Sequence, residues 1–232
     1  MTPKLRTLSG ATLMLVIIPI IVGLLACMPV PIGDPERSKA DPDMTGIWAA
    51  LTIDDSETGA GFYLIEPYDK RTMLISAIGL AAAESTDLEK YDFASYAGYE
   101  KLAANEEVDA DNVHADGVSL NKSWVTRLAG ERFFTWEPMG VAEALGKDPE
   151  YWMVWHIVEH DEENIVLRLV DGDAAPFKDV EKTRRAYERV LKKHVDDPAI
   201  YGGSDEYRIH LVRADGVVLE FLSDVADLIL DK

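Results

Sequence analysis

One segment, Tyr151 to Val170, restricts the fold of this chain more than any other. It contains two runs in which every second residue is apolar, separated by a short acidic stretch at 161–163. The apolar positions are Met153, Trp155, Ile157, Ile165, Leu167 and Leu169. Because strand side chains alternate between two faces, and the intervening loop has an odd length, all of these positions lie on one side of a hairpin. We predict an antiparallel hairpin with this side in the core.

The opposite side of the hairpin is too apolar for a sheet face that is fully exposed to solvent. Valines and a tryptophan alternate there with histidine and arginine, whereas a half-exposed sheet separates apolar from polar residues more cleanly. A packed helix, curvature of the sheet into a barrel, or a bound ligand would each cover part of this side. The candidate ligand or interaction face consists of Trp152, Val154, His156, His160 and Arg168.

Further short runs that are rich in β-branched and aromatic residues predict more strands. These runs are 46–53, 61–65, 72–80, 123–128 and 132–136. The Asp215-Gly216 pair is a strong turn signal and predicts a second hairpin from Glu206–Arg213 and Val217–Leu222. The predicted fold class is mainly antiparallel β, a lipocalin-like barrel or a strongly curved sheet, in one domain over 45–232. An α+β sandwich is the alternative.

Two other segments have helical features. Asp179 to His194 places apolar residues at helical spacing, with Asp179 as the predicted N-cap. This helix is a candidate cover for the apolar outer side of the hairpin. Part of Leu88 to Ala104 is rich in alanine and glutamate, and a shorter helix is predicted there.

The N-terminal segment has the pattern of an export signal. Lys4 and Arg6 precede an uncharged apolar run that ends in Leu24-Leu25-Ala26-Cys27, and Cys27 is the single cysteine of the chain. This arrangement resembles the lipobox of a bacterial lipoprotein precursor. The resemblance implies a signal peptide over 1–26, cleavage before Cys27, and attachment of lipid, palmitate included, to that cysteine.

An uncleaved transmembrane helix is the alternative, since about 20 apolar residues suffice to cross a bilayer. Pro19, Pro29 and Pro31 would kink or shorten such a helix. Both interpretations place the rest of the chain outside the cytoplasm. In enterobacterial lipoproteins an aspartate after the cysteine marks retention in the inner membrane; Met28 stands there instead, so by resemblance the outer membrane, facing the periplasm, is favoured. The proline-rich segment 27–44 predicts a flexible tether.

The body of the chain also resembles, loosely, a group of uncharacterised bacterial envelope lipoproteins. The similarity lies in Trp124 to Trp136, in Tyr151 to Val170 and in His194 to Tyr201. These motifs are structural, so the resemblance implies a lipoprotein of the cell envelope and no particular activity.

The chain is strongly acidic, with a formal net charge of −19. Removal of 1–26 would take away two cations and no acidic residue, which gives −21. Nucleic acid and anionic lipid would be repelled over most of such a surface. A local exception is a candidate basic docking patch on the predicted helix, for anionic headgroups or an acidic partner. Its residues are Arg184, Arg185, Arg189, Lys192 and Lys193, which would equally suit a solvated face.

No metal or cofactor is predicted. His156 and His160 would lie on one strand face about 13 Å apart, which is too far for both to bind one ion. An acidic stretch offers the carboxylates that calcium prefers but lacks the EF-hand spacing. It contains Glu106, Glu107, Asp109, Asp111 and Asp116. The tryptophans, which either line an apolar pocket or form the core, are Trp48, Trp124, Trp136, Trp152 and Trp155.

The sequence contains no nucleophile elbow, phosphate-binding glycine loop or dinucleotide-binding fingerprint. The leading hypothesis is therefore a non-enzymatic, lipid-anchored protein of the cell envelope that binds an envelope protein or a small apolar ligand. The alternatives are a periplasm-facing hydrolase with a dispersed site and a purely structural envelope component.

Overall fold

A computed structural model describes residues 27–52, 61–82, 95–104, 113–140, 151–201 and 208–221. Its main feature is a closed barrel of eight antiparallel strands, each paired with the next along the chain and the last paired with the first. The strands are β1 Gly46–Thr52, β2 Gly61–Pro67, β3 Met73–Ala82, β4 Val113–Leu128, β5 Glu131–Met139, β6 Met153–His160, β7 Asn164–Leu169 and β8 Arg208–Arg213. The prediction of a lipocalin-like, mainly antiparallel β fold is confirmed, and the sandwich alternative is wrong.

The six alternating apolar residues of the Tyr151–Val170 segment all face the barrel interior. Five of them belong to one buried cluster that also contains Trp48, Ile65 and Phe134 from other strands, and the partly buried Met153 packs against it. The predicted hairpin, β6–β7, and the assignment of its core side are therefore confirmed. The strand prediction is less complete for β4, which begins at Val113, because polar residues there continue the pairing with β3.

One end of the barrel is closed by the 3₁₀ turn Pro42–Met44, which precedes β1. Met44 and Trp48 are fully buried beneath it. The Arg213 guanidinium, from the end of β8, lies 4.2 Å from the centre of the Trp48 ring and donates hydrogen bonds to the carbonyl oxygens of Asp43 and Thr45. One cation thus ties the first strand, the last strand and the closing turn together.

Residues 27–37 lie against the outer wall of the barrel, which differs from the predicted flexible tether. Met28 pairs with Trp152 through two backbone hydrogen bonds of 2.8 and 2.9 Å, and Met28 and Ile32 are fully buried. The Ile32 carbonyl oxygen accepts hydrogen bonds from the Trp124 indole and the Thr135 hydroxyl. Apolar residues between the prolines hold this segment to the barrel.

Helix α2, Arg184–His194, covers the same wall beside residues 27–37. Its Tyr187 and Leu191 are buried in one cluster with Met28 and Ile32. The predicted cover helix is therefore present, although it begins later than predicted. Thr183 is the N-cap, whereas Asp179 has a positive φ of 63° and lies in the preceding turn.

Helix α1, Tyr96–Ala103, falls within the predicted segment Leu88 to Ala104, of which residues 88–94 lie outside the described part. The second predicted hairpin is wrong: after β8 the chain is helical over 216–221. The reason is that β8 already pairs with both β7 and β1, so no strand edge is left for another partner. Val218 and Phe221 instead pack with α1 on the outer face of β1 and β2.

Candidate functional site

Among the described residues, large side chains fill the barrel interior near the Pro42–Met44 turn, and smaller ones line it towards the other end. The described positions that point inward towards this other end are mostly small: Ala50, Gly61, Ala77, Gly79 and Ser119. No atom of the described residues would lie within 4 Å of a Cβ atom added to Gly79. The inward residues of the neighbouring strands that keep partial exposure are Tyr63, Met153 and Ile209. We call this half of the barrel interior, which lies away from the Pro42–Met44 turn, the cup.

The floor of this cup is aromatic. Trp136 lies with its ring centre 5.1 Å from that of Trp155 and 5.8 Å from that of Tyr63. Phe134 meets Trp136 edge to face at 5.7 Å. These spacings are those of favourable aromatic pairs, so the floor is a rigid apolar surface.

Two indole N–H groups in the floor are buried without a hydrogen-bond partner among the described residues. They belong to Trp136 and Trp155. The other tryptophan indoles are paired: those of Trp48 and Trp124 donate to backbone carbonyls, and that of Trp152 donates to Glu137. A buried donor that lacks an acceptor costs about 1–3 kcal/mol. The floor can therefore accommodate an oxygen atom of a molecule that enters the cup.

Tyr63 adds a neutral hydroxyl to this surface. Burial raises the pKa of Tyr63 to about 12, so the phenol keeps its proton at neutral pH. A neutral hydroxyl both donates and accepts hydrogen bonds without placing a charge in the barrel. The combination of apolar walls and a few neutral polar groups is typical of small-molecule sites.

The predicted ligand face on the outside of β6–β7 is covered by protein. Val154 is fully buried, and the His156 ring is stacked against Phe133 and against Tyr201 from the 3₁₀ turn Pro198–Tyr201. Arg168 lies 4.4 Å from the centre of the Tyr201 ring. Of the covers considered from the sequence, barrel curvature and a packed helix are both present.

His156 and His160 do not lie on the same face, because a β-bulge between Ile157 and Glu159 shifts the register. The sequence prediction of a shared face is wrong for this reason. His156 Nε2 lies 3.0 Å from Glu131 Oε2 on the outer wall. His160 turns to the closed end of the barrel, where its Nδ1 lies 2.8 Å from Arg132 Nη1. A bulge inserts one residue and reverses the alternation after it.

A cleft of about 980 Å³ opens beside the closed end. Arg132, Arg213 and His160 line it together with carboxylates of nearby loops. Its cations already serve the protein, since Arg132 pairs with Asp41 and Arg213 holds the closing turn. Asp161 accepts hydrogen bonds from the backbone of Glu163 and Asn164, which lowers its pKa and fixes the β6–β7 loop. The cleft is thus a weaker candidate than the cup.

The remaining predicted sites are only partly described. The acidic residues from Glu106 to Asp111 lie outside the described residues, and the side chain of Asp116 is likewise not described. Elsewhere in the described ranges, no three histidine, cysteine, aspartate or glutamate side chains form a group that could hold a metal ion. Burial, with the nearby charge of Asp173, raises the pKa of the Cys27 thiol to about 11. Unmodified Cys27 would therefore be a poor nucleophile at neutral pH.

Within the described ranges, no helix is long and apolar enough to cross a bilayer. No protein-family model, curated protein or solved structure matches this chain.

One prediction concerns the pH dependence of stability. His210 Nε2 lies 2.9 Å from Asn164 Oδ1, and burial lowers the His210 pKa below its ordinary value of 6.5. At pH values below 6.5 and above this lower pKa, His210 binds a proton in the unfolded chain but not in the folded one. Acidification through this interval therefore destabilises the fold. We expect His210→Gln to reduce the fall in the free energy of unfolding between pH 7 and pH 5. The free energy of unfolding is measured by urea titration at each pH, and an equal fall between pH 7 and pH 5 in the variant and the unmodified protein would contradict this assignment.

Proposed function

We propose that this protein is a lipid-anchored lipoprotein of the cell envelope whose barrel binds a small, mostly apolar ligand. The observation that carries the proposal is the pair of indole N–H groups of Trp136 and Trp155 at the floor of the cup, which have no hydrogen-bond partner among the described residues. A purely structural barrel would gain stability by pairing these donors or by replacing them with apolar groups. A ligand oxygen would pair them on binding.

The chemistry of the cup selects the ligand class. Ala50, Ala77, Met153 and Ile209 provide apolar walls, and the described interior contains no charge near the floor. The proposed ligand therefore has an apolar body and one end that accepts hydrogen bonds, such as a carbonyl or carboxyl group. Each hydrogen bond from a neutral donor contributes about 0.5–1.5 kcal/mol.

The anchor is proposed to be lipid on Cys27, with the outer membrane, facing the periplasm, as the location. Two observations support an exported lipoprotein: the basic residues Lys4 and Arg6 before an uncharged apolar run, and the lipobox-like Leu24-Leu25-Ala26-Cys27 that ends it. Intact mass spectrometry of the chain expressed in a bacterium with lipoprotein processing enzymes tests the anchor. A species that begins at Cys27 and carries acyl chains is expected, and Cys27→Ser should abolish it.

Two fluorescent probes test ligand binding. Parinaric acid has an apolar chain and a carboxyl group, whereas diphenylhexatriene is apolar and has no acceptor. We expect Trp136→Phe/Trp155→Phe to weaken parinaric acid binding by about 10-fold, through the loss of two hydrogen bonds. Binding of diphenylhexatriene should change much less. Equal effects on the two probes would contradict the role of the indole donors.

A second variant should block the cup. Gly79→Phe adds a large side chain at an inward position of the cup, where no described atom lies within 4 Å of an added Cβ atom. We expect probe binding to fall at least about 10-fold, because the ring occupies the volume of the ligand. The matched control is Val118→Phe, at a position on the same sheet that is 62% exposed. Equal affinities for Gly79→Phe and the control would place the ligand elsewhere.

The same measurements weigh the alternatives. If neither probe binds to the unmodified barrel, the structural envelope component becomes the better hypothesis. The dispersed hydrolase requires a nucleophile with a nearby base, which would be sought by reaction with a fluorophosphonate. If the fluorophosphonate labels a residue of the cup, hydrolysis rather than ligand binding becomes the proposed activity.

A further inference from the structure

The site of the proposed lipid is held directly on the barrel wall. Met28, the next residue, is fully buried and paired with Trp152. Gly172 packs so closely that an added Cβ atom would lie 2.5 Å from the Cys27 carbonyl oxygen. With no free linker between Cys27 and this contact, lipid on Cys27 would keep this wall next to the membrane surface. The charges on the wall then lie within the range of headgroup electrostatics, about 10 Å at 0.1 M salt.

Helix α2 lies on this same wall. Its Tyr187 and Leu191 share a buried cluster with Met28, so the outer face of the helix is part of the surface beside the anchor. That outer face is cationic. The exposed residues, which form no ion pair in the described part of the chain, are Arg185, Arg189, Lys192 and Lys193. Their spacing of four, seven and eight residues places them on one side of a helix.

Two charged neighbours of this face, Glu188 and Arg184, bind residues of the 27–37 segment. Glu188 accepts a hydrogen bond from the Gly33 backbone N–H. Arg184 donates to the Gly33 carbonyl oxygen and pairs with Asp34. Arg184, which the sequence placed in the docking patch, therefore fixes residues 27–37 to the helix. The four outward cations, Arg185, Arg189, Lys192 and Lys193, therefore form a positively charged face on a chain whose net charge is −19.

We infer that this cationic face of α2 docks on anionic phospholipid headgroups beside the lipid on Cys27 and so fixes the orientation of the barrel. The inference rests on the proposed lipid anchor, which brings the face to the bilayer. Charge complementarity selects the partner, since the strongly acidic remainder of the protein would be repelled by the same surface. Each cation near an anionic membrane strengthens association roughly fivefold.

The test uses the full, processed chain reconstituted in vesicles of phosphatidylcholine with or without phosphatidylglycerol. Energy transfer from the native tryptophans to a dansyl-labelled headgroup reports how closely the barrel lies on the bilayer. We expect greater transfer with phosphatidylglycerol, and a loss of the increase in 0.5 M NaCl. Arg185→Gln/Arg189→Gln/Lys192→Gln should reduce the ratio of docked to undocked barrels at least about tenfold.

The matched control is Lys39→Gln/Lys70→Gln/Lys101→Gln, which removes the same charge from exposed positions away from α2. Equal transfer in both vesicle types, or equal losses in the two triple variants, would overturn the inference. Binding of labelled polyglutamate that depends on the α2 cations, without a response to phosphatidylglycerol, would overturn it in favour of an acidic protein partner. Mass spectrometry of the same samples shows whether the chain carries acyl groups, and so distinguishes a failure of docking from a failure of lipidation. A docking response from a chain without acyl groups would contradict the lipid anchor but not the docking.

Discussion

Arg213→Met is expected to lower the free energy of unfolding by about 2–4 kcal/mol. The substitution removes the cation over Trp48 and leaves three carbonyl groups, those of Asp43, Thr45 and Glu162, without their donor. Because these groups belong to the closing turn, to its junction with β1 and to the β6–β7 loop, their separation opens the closed end of the barrel. Urea unfolding followed by tryptophan fluorescence measures the loss, which corresponds to a fall in Tm of about 10 °C.

The control for this prediction is Arg127→Met, since Arg127 is exposed at the same end of the barrel. It should stay within about 0.5 kcal/mol of the unmodified protein. Arg213→Lys retains the charge but not the planar fork that reaches several carbonyls at once, so it should recover only part of the loss. Equal stabilities for Arg213→Met and Arg127→Met would show that the contacts of Arg213 with Trp48 and the three carbonyl groups do not stabilise the barrel.

Met28→Asp is expected to release residues 27–32 from the barrel wall. It would place a carboxylate without a partner among Ile32, Val154 and Phe177, at a site that is fully buried. An uncompensated buried charge costs about 3–5 kcal/mol, which exceeds what two backbone hydrogen bonds to Trp152 can offset. The segment should therefore detach and become the flexible tether that the sequence predicted. Hydrogen exchange of the Met28 and Trp152 amides should accelerate by at least about 100-fold.

Met28→Leu is the matched control, because the two side chains have similar volumes and such exchanges cost less than about 1.5 kcal/mol. Slow exchange of both amides should persist in this variant. Slow exchange in Met28→Asp as well would mean that the segment is not held by burial of Met28. The Asp variant also bears on membrane docking, since a freed segment lets the cationic face of α2 move away from the lipid.

The covered face of β6–β7 illustrates how far sequence reasoning can go. The alternation of Met153, Trp155 and Ile157 predicted the core side, and the excess of valine on the opposite side predicted a cover. The helix α2 was predicted as one part of that cover, whereas residues 27–37, the other part, were predicted to be a flexible tether. A pattern indicates that apolar surface must be buried, whereas the partner that buries it is selected by the packing of the whole chain.

The proposed ligand site was harder to predict. Trp136 and Trp155 were predicted from the sequence as candidates for a pocket. Ala77 and Gly79 were not, because small residues have no functional group that would indicate a binding site. Only the register between β2, β3 and β4 shows that these small positions meet on one side of the interior. In β3 every second residue, Met73, Ile75, Ala77 and Gly79, becomes smaller along the strand, and that was the available signal.

What the sequence by itself determined are the local properties: alternation in strands, an amphipathic helix, a net negative charge and the lipobox-like segment at Cys27. Each depends on residues that are close in the chain, where covalent geometry fixes which side chains share a face. The tertiary structure decided three further features. Barrel closure left no strand edge for residues 216–221, a bulge separated His156 from His160, and packing converted a proline-rich tether into part of the wall. These outcomes depend on contacts between residues far apart in sequence, for which local patterns contain no register.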